Sequence, residues 1–221
     1  MKVGTDGVLL GAWADVSNAT KILDIGTGTG VIALMLAQRS NARIDAIDTD
    51  DQSCLQAKEN ILNSKFHERI KVHNQSLQKF CEEKSGKYNL IVSNPPYFQN
   101  SLKSENANRN ISRHSDVAEL NSEILIFSAL KLLNLKGKFC LILPKTEGEK
   151  FVETSESKNL FCTKITRVFS KPKKNIIRLL LEFELTRKKM EEDFLTIETG
   201  RKPNDFTEEY KKLTRNFYLN F

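Results

Sequence analysis

Four consecutive residues, Asn94, Pro95, Pro96 and Tyr97, have the types and order needed for chemistry on a planar amino nitrogen. Such a nitrogen is a poor nucleophile when its lone pair is delocalised into a ring. The Asn94 side-chain oxygen and the Pro95 carbonyl would accept its hydrogens and localise that lone pair. Two prolines in a row fix φ, so these acceptors would stay aimed without reorganisation. We interpret these four residues as catalytic, with Tyr97 and Phe98 as a stacking surface for the acceptor group.

A glycine-rich loop upstream, LDIGTGTG at 23–30, indicates a bound nucleoside. It follows an apolar run and precedes an apolar-faced helix, where glycines let the backbone approach a ligand. Its spacing differs from the dinucleotide fingerprint G-x-G-x-x-G, and no G-K-[ST] follows to make a phosphate loop. The tighter alternation resembles motif I of S-adenosylmethionine enzymes. The cofactor-binding residues predicted here are Asp24, Gly26, Thr27, Gly28 and Gly30.

An acidic residue at the end of the next apolar run supports that interpretation. Asp48 follows the glycine loop by about 20 residues, where a carboxylate can accept hydrogen bonds from two ribose hydroxyls. Asp50 is an auxiliary candidate for the same contact. Two structural alternatives are an ordinary turn with a solvated acidic loop here, and an ordinary Asn-Pro turn leaving a strand at Asn94.

Apolar runs and helical patterns alternate from residue 21 onward. Strands are predicted at 21–25, 43–47, 69–73, 88–93, 138–144, 162–169 and 176–185. Helices are predicted at 31–38, 51–63, 76–83, 116–135 and 146–158. Ser115 or Asp116 would cap the fourth helix, and Gly137 would follow its end.

This order predicts an α/β, Rossmann-like fold of the class I methyltransferase type. We expect a seven-stranded, mostly parallel sheet with helices on both faces and an antiparallel hairpin at one edge. We predict a single catalytic domain over 1–190. The polar, basic and aromatic residues 191–221 would form a tail packed on that domain.

Net charge, apolar runs and cysteine positions indicate which partners and which cellular location the protein has. The 221 residues carry a net charge of +6, with +1 in residues 1–110 and +5 in residues 111–221. A basic surface attracts a polyanion such as RNA. No apolar run approaches the ~20 residues of a membrane span, and no basic leader precedes an apolar run. The four cysteines are far apart with no nearby histidine, which favours reduced structural thiols in a cytoplasmic protein without a metal site.

Several motifs together resemble one family. They are GTDGVLLGAWA, LDIGTGTG, AIDTDD, NLIVSNPPYF, RHSD and the terminal LTRNFYLNF. They look like the bacterial tRNA(Val) adenine-N(6) methyltransferases, and the resemblance covers nearly the whole chain. It implies transfer of a methyl group from S-adenosylmethionine, with S-adenosylhomocysteine as product, to the adenosine 3′ of the anticodon, position 37. The implied partner is tRNA, without a membrane, a metal or an obligate protein partner.

The resemblance also assigns residues by position. Thr5 and Asp6 lie in the segment that would approach the methionine end of the cofactor, and Asn94 would contact the cofactor as well. Ser76 stands where the family commonly has an Asp against the cofactor adenine. Family members usually carry a further stretch before this first segment, which would help to shape the mouth of the site.

Substrate contacts are predicted at two places besides Tyr97 and Phe98. Arg113 and His114 would lie near the mouth of the pocket. Five basic residues would contact tRNA phosphates and fix its position without reading sequence: Lys171, Lys173, Lys174, Arg201 and Lys202. Solvated charged loops are the structural alternative for these five.

Other functions stay open at this level. Release-factor methyltransferases modify a planar glutamine carboxamide and share the core motifs, but they carry an N-terminal helical domain that this sequence lacks. A DNA adenine methyltransferase would need a base-reading domain, for which 221 residues leave little room. A catalytically silent RNA-binding module would keep the fold without needing Asn94 and its prolines.

Overall fold

The computed structural model of the chain describes residues 4–84, 87–96 and 121–218. Its helices are α1 (Thr5–Trp13), α2 (Val31–Arg39), α3 (Asp51–Leu62), α4 (Leu77–Glu83), α5 (Ser122–Leu132), α6 (Lys145–Ser157) and α7 (Glu208–Thr214). Its strands are β1 (Lys21–Ile25), β2 (Arg43–Asp48), β3 (Ile70–Asn74), β4 (Tyr88–Ser93), β5 (Leu133–Pro144), β6 (Phe161–Phe169), β7 (Ile176–Glu184) and β8 (Glu191–Thr196).

These strands form one sheet in the order β3-β2-β1-β4-β5-β7-β6-β8. Strands β1 to β5 pair in parallel, β7 runs antiparallel between β5 and β6, and β8 pairs in parallel with β6. Every strand except β7 therefore ends at the same edge, which we name the carboxyl edge. The strand order reverses between β1 and β4, and open α/β sheets bind ligands in the crevice at such a point.

Helices cover both faces of the sheet, as the alternation of elements predicts. Successive residues of a strand point to opposite faces, so Ile22 joins one buried cluster and Leu23 the other. The first cluster includes Leu9 and Leu36 from α1 and α2, whereas the second includes Phe80 from α4. The α/β Rossmann-like prediction is confirmed, as is the antiparallel β6–β7 hairpin.

The predicted strand count of seven is one too low, because Glu191–Thr196 forms β8 outside β6. Strand β8 therefore covers the hairpin, and the hairpin does not supply the outermost strand of the sheet. The first four residues of β8 are exposed and three of them are acidic, so this segment lacks the apolar run that marks a buried strand. The domain boundary at residue 190 stays a prediction.

The fourth helix differs from its prediction. Described as α5, it begins at Ser122, and the Asn121 side chain caps it by accepting a hydrogen bond from the Ile124 amide at 2.9 Å. Ser115 and Asp116 lie outside the described residues. Gly137 does not end this helix but lies within β5, where a Cβ would stand 2.7 Å from the Tyr88 carbonyl oxygen. Close approach of two strands therefore accounts for this glycine.

All four cysteines are buried with free thiols, as predicted. Burial raises the pKa of each: Cys54, Cys81, Cys140 and Cys162. Among the described residues, no group of three or more His, Cys, Asp or Glu side chains could hold a metal ion. The same part of the chain contains no helix that is long and apolar enough to cross a membrane.

Candidate active site

Strand register places three candidate residues side by side at the carboxyl edge. Ile25 of β1 pairs with Ile47 of β2 on one side and with Ser93 of β4 on the other. The next residues along the three strands are Gly26, Asp48 and Asn94. The Ser93 hydroxyl donates a hydrogen bond of 3.0 Å to the Ile25 carbonyl, which fixes β4 against β1 just before Asn94.

The glycine loop has a backbone conformation that requires glycine at three positions. Gly26, Gly28 and Gly30 have φ values of 68°, 55° and 81°, in the left-handed region that side chains disfavour. The amides of Gly26 and Thr27 both donate to the Ile47 carbonyl, at 2.9 and 3.0 Å. The loop is therefore held against the end of β2, with α2 beginning directly after Gly30.

Asp48 joins the loop to the second strand. One carboxylate oxygen accepts from the Gly28 amide at 2.8 Å, and the other accepts from the Asp50 amide at 3.0 Å. A carboxylate oxygen has a second lone pair, so each can still accept a hydroxyl hydrogen. Asp48 is thus fixed by the backbone with a lone pair left on each oxygen, and its contact with ribose hydroxyls stays a prediction.

Asp24 is fully buried beneath the loop. Its Oδ2 accepts from the Thr27 hydroxyl at 2.6 Å, whereas Oδ1 has no hydrogen-bond partner. Burial raises the pKa of Asp24 to about 7, and the Thr27 hydroxyl and the Ala33 amide offset this only in part. Buried polar atoms without partners are rare and costly. This oxygen fits a ligand that brings a cationic or hydrogen-bond-donating group.

Asn94 is half-buried, Pro95 is buried and Pro96 is exposed. Within residues 4–84, 87–96 and 121–218, the Asn94 carboxamide has no hydrogen-bond partner. It lines a cavity of about 480 Å³, which we name the acceptor cavity. Leu9, Ile177 and Ile197 supply apolar walls of this cavity. Within the described residues, the arrangement therefore offers an unpartnered amide beside the glycine loop, in a cavity with both apolar and polar walls.

An ion pair fixes one wall of the acceptor cavity. Arg178 of β7 donates from Nε to Asp6 Oδ2 at 2.8 Å, and both side chains line the cavity. Thr5, the first residue of α1, lines it too. The pair therefore ties the first turn of α1 to the start of β7.

Two further predicted cofactor residues cap helices. Asp50 caps α3 by accepting from the Ser53 amide at 2.7 Å, and Ser76 caps α4 by accepting from the Lys79 amide at 3.3 Å. The Gln75 amide donates to the Asp48 carbonyl at 3.0 Å, so Ser76 stands beside the end of β2. Cofactor contacts by Asp50 and Ser76 stay predictions.

The two basic segments predicted to bind tRNA lie together at the carboxyl edge. The turn 171–175 joins β6 to β7, and the loop 197–207 joins β8 to α7. A Cβ built at Gly200 would lie 3.7 Å from the Pro172 ring. Lys171 is half-buried and pairs with Glu198 at 3.3 Å. The remaining four basic residues are exposed: Lys173, Lys174, Arg201 and Lys202.

Some sequence predictions lie outside the described residues: Tyr97, Phe98, Arg113 and His114. Conversely, Ile177, Arg178 and Ile197 line the acceptor cavity without having been singled out from the sequence. Arg178 alone carried a signal, since it is a charged residue in the early part of the apolar run IIRLLL. Ile177 and Ile197 look like ordinary strand residues until the sheet brings them together.

Comparison with known proteins shows to which family the chain is similar. Residues 7–148 match the model of the Methyltransferase small domain family. The tRNA1(Val) (adenine(37)-N6)-methyltransferase of Trichodesmium erythraeum is 45% identical, covering 100% of this chain and 92% of that protein. The Phocaeicola vulgatus protein of the same name is 46% identical with the same coverage. The one from Histophilus somni strain 129Pt is 42% identical, again covering 100% and 92%.

Solved structures support the fold. A predicted O-methyltransferase from Agrobacterium tumefaciens has a TM-score of 0.75 at 18% identity, with 96% of each chain covered. A ribosomal protein L11 methylase from Lactobacillus delbrueckii has a TM-score of 0.56 at 18% identity, covering 82% of this chain and 77% of that one. At these identities the likeness concerns the arrangement of helices and strands alone.

Proposed function

The chain belongs to the Methyltransferase small domain family and, within it, to the tRNA1(Val) (adenine(37)-N6)-methyltransferases, and from that premise we propose its reaction. It transfers a methyl group from S-adenosylmethionine to the exocyclic amine of the adenosine 3′ of the anticodon in valine tRNA. The observation that carries this proposal is the position of Asn94. Its carboxamide has no hydrogen-bond partner among the described residues. It adjoins the glycine loop where the strand order reverses.

The residues around the glycine loop fit S-adenosylmethionine. Asp48 would accept the ribose hydroxyls, and the unpartnered Asp24 oxygen would accept from the ammonium at the methionine end. Gly26 to Gly30 would allow the close backbone approach that both contacts need. When bound, this cofactor supplies an electrophilic methyl group on a cationic sulfur.

The acceptor cavity suits a planar base that carries an amine. Asn94 Oδ1 and the Pro95 carbonyl would accept the two amine hydrogens, which localises the lone pair toward the methyl group. The apolar side chains Leu9, Ile177 and Ile197 would contact the ring and exclude water. Since the leaving group is a neutral thioether, orientation is the main contribution required of the protein.

Recognition of tRNA would use the basic turn 171–175 and loop 197–207, which share an edge with Asn94. Lysine and arginine there would bind phosphates of the anticodon loop and fix its register. The adenosine must then leave the stack of its neighbours to enter the cavity.

Methyl transfer in vitro tests this function. Purified protein and radiolabelled S-adenosylmethionine are incubated separately with unmodified valine tRNA, a release factor and duplex DNA. We expect label only in the tRNA, and none when guanosine replaces the target adenosine. Equal labelling of the release factor would overturn the assignment of a tRNA substrate.

A further inference from the structure

A second cavity, of about 330 Å³, adjoins the acceptor cavity. The two share Thr5 and Ile197 in their linings. Its other walls come from Ser170, directly after β6, from the loop 197–207 that follows β8, and from Tyr210 and Tyr218 in and after α7. Ser170 and the loop lie at the carboxyl edge, so this cavity stands beside the place where the acceptor base would enter. We name it the flanking cavity.

Backbone hydrogen bonds fix the shape of the loop that builds the flanking cavity. Glu198 and Phe206 form an antiparallel bridge across it. The Thr207 amide donates to the Ile197 carbonyl at 2.9 Å, and the Thr199 amide donates to the Asp205 carbonyl at 2.7 Å. A cavity with such ordered walls is formed before any ligand arrives, which lowers the entropic cost of binding.

The lining of the flanking cavity has the chemistry of a nucleobase site. The aromatic side chains Phe206 and Tyr218 are part of it, together with the polar groups of Ser170, Glu198 and Asn204. Planar bases bind proteins through aromatic contacts and through hydrogen bonds to their edges. A volume of about 330 Å³ lies within the range of small-ligand sites, about 300 to 1,000 Å³.

Asn204 is the residue best suited to read a base edge. Asn204 lies at a turn of the loop and has a φ of 59°, in the left-handed region that asparagine adopts more readily than most residues. Among the described residues its carboxamide has no hydrogen-bond partner, so one acceptor and two donors remain available. A carboxamide can form paired hydrogen bonds with a base edge.

Basic side chains around this loop suit the phosphate that would link two nucleotides. Lys171 pairs with Glu198 in the lining, while Lys173 and Arg201 are exposed on the two adjacent segments. Cations beside an aromatic and polar cavity are typical of a site for single-stranded nucleic acid. The neighbouring acceptor cavity would hold the other nucleotide.

We propose that the flanking cavity binds the base of a nucleotide next to the methylated adenosine in the same RNA strand, with Asn204 contacting its edge. This inference rests on the proposed function and extends it by adding a second base-binding site. The enzyme would then recognise its target as a dinucleotide in an opened loop. An adenosine with a missing or unsuitable neighbour would bind weakly even when its own amine can reach Asn94.

The chain offers a matched pair of variants for the test. Asn204→Gly removes the carboxamide, and glycine adopts the left-handed φ without strain. Asn159 is also exposed, has a φ of 62°, and lies between α6 and β6 at the opposite edge of the sheet. Asn159→Gly therefore makes the same chemical change in the same backbone conformation, far from the cavities.

Three fluorescent anticodon stem-loops serve as probes: one intact, one abasic immediately 5′ of the target adenosine, and one abasic immediately 3′ of it. Their Kd values are measured by anisotropy in the presence of S-adenosylhomocysteine. For the natural protein we expect removal of one of the two bases to raise Kd about tenfold. Asn204→Gly should bind the intact loop about tenfold more weakly and lose little more with that abasic loop. Asn159→Gly should match the natural protein on all three.

Additive losses, in which Asn204→Gly and the abasic loops act independently, would overturn the proposal, as would natural affinity in Asn204→Gly. Methyl transfer to the intact loop is recorded in parallel. Normal binding without transfer would count against the proposed function and leave the flanking site standing. Transfer with no effect of either abasic position would count against the flanking site alone.

Discussion

Among single residues, Asp24 stands out because its burial conflicts with its charge. Its pKa of about 7 lies well above the usual carboxyl value because burial disfavours the charged form. The folded protein thus binds this proton more tightly than the unfolded chain does. The associated stability is present below the unfolded pKa near 4 and is lost as pH rises through about 7. A ligand that stabilises the carboxylate would restore it.

Asp24→Asn should therefore stabilise the ligand-free protein increasingly as pH rises from 4 to 7. The gain should reach about 4 kcal/mol at most, since three pKa units are worth roughly that much. Urea unfolding at pH 5 and pH 8 measures it, while calorimetric titration should show weaker binding of S-adenosylmethionine. Asp50→Asn is the control, because Asp50 is exposed and its hydrogen bond from Ser53 lowers its pKa. An equal effect of Asp24→Asn on the free energy of unfolding at both pH values would contradict the raised pKa of Asp24.

Asn94 carries the proposed chemistry, so its replacement should separate binding from transfer. Asn94→Ala removes an acceptor for the amine, and loss of one preorganised group of this kind costs about 10²–10³ in rate. We expect at least that loss in kcat, with the cofactor Kd changed no more than a few-fold. Single-turnover transfer and calorimetry measure the two quantities. A parallel loss of cofactor binding would assign Asn94 a different role.

At the level of elements, the Asp6–Arg178 pair joins α1 to β7 across the acceptor cavity. About a quarter or less of each side chain is exposed, so water screens the pair only in part. We expect a coupling on the order of 1 kcal/mol between Asp6→Asn and Arg178→Gln in a double-mutant cycle of urea unfolding. Either single variant should also raise the KM for tRNA by loosening the cavity wall. Strictly additive unfolding energies would show that the two side chains act separately.

Elements with a simple apolar signature could be predicted from the sequence. Strand β1 and strand β4 begin and end where their apolar runs do, since both are buried in the middle of the sheet. Helix α1 was not predicted as a helix, because Gly7 to Ala12 are all buried and leave no polar face to give a 3.6-residue period. Strand β8 was missed for the opposite reason, since its exposed acidic residues lack an apolar run.

The candidate site was predictable where its residues lie in recognisable motifs near strand ends. Asp24 is the last but one residue of β1, Asp48 ends β2 and Asn94 follows β4, so parallel pairing was enough to bring them to one edge. The acceptor cavity also needs Arg178 and Ile197, which join it only through the order β5-β7-β6-β8. Nothing in their local spacing indicates that order.

Across the whole molecule, charge is arranged to suit RNA. The net charge is +6, and two basic segments that are far apart in sequence meet at the edge that carries Asn94. Binding of tRNA should weaken steeply with salt because counterions are released from phosphates. Removing one phosphate-binding cation should reduce the slope of log K against log salt by about 1.

Lys174→Gln tests whether tRNA binds at the carboxyl edge, and Lys189→Gln is its control. Both lysines are exposed, but Lys189 follows β7 at the opposite edge of the sheet. Filter binding of valine tRNA over a range of salt concentrations should show a smaller slope for Lys174→Gln only. Identical slopes for both variants, or a flat response of the natural protein, would contradict binding at the carboxyl edge.

The central claim is that this protein methylates the adenosine 3′ of the anticodon in valine tRNA, using Asn94. Its most direct test is mass-spectrometric mapping of modified nucleosides in valine tRNA from cells that lack the protein. We predict that N6-methyladenosine is absent from that position, returns with the natural protein and stays absent with Asn94→Ala. Persistence of the modification in the deleted cells, or its full return with Asn94→Ala, would contradict the account.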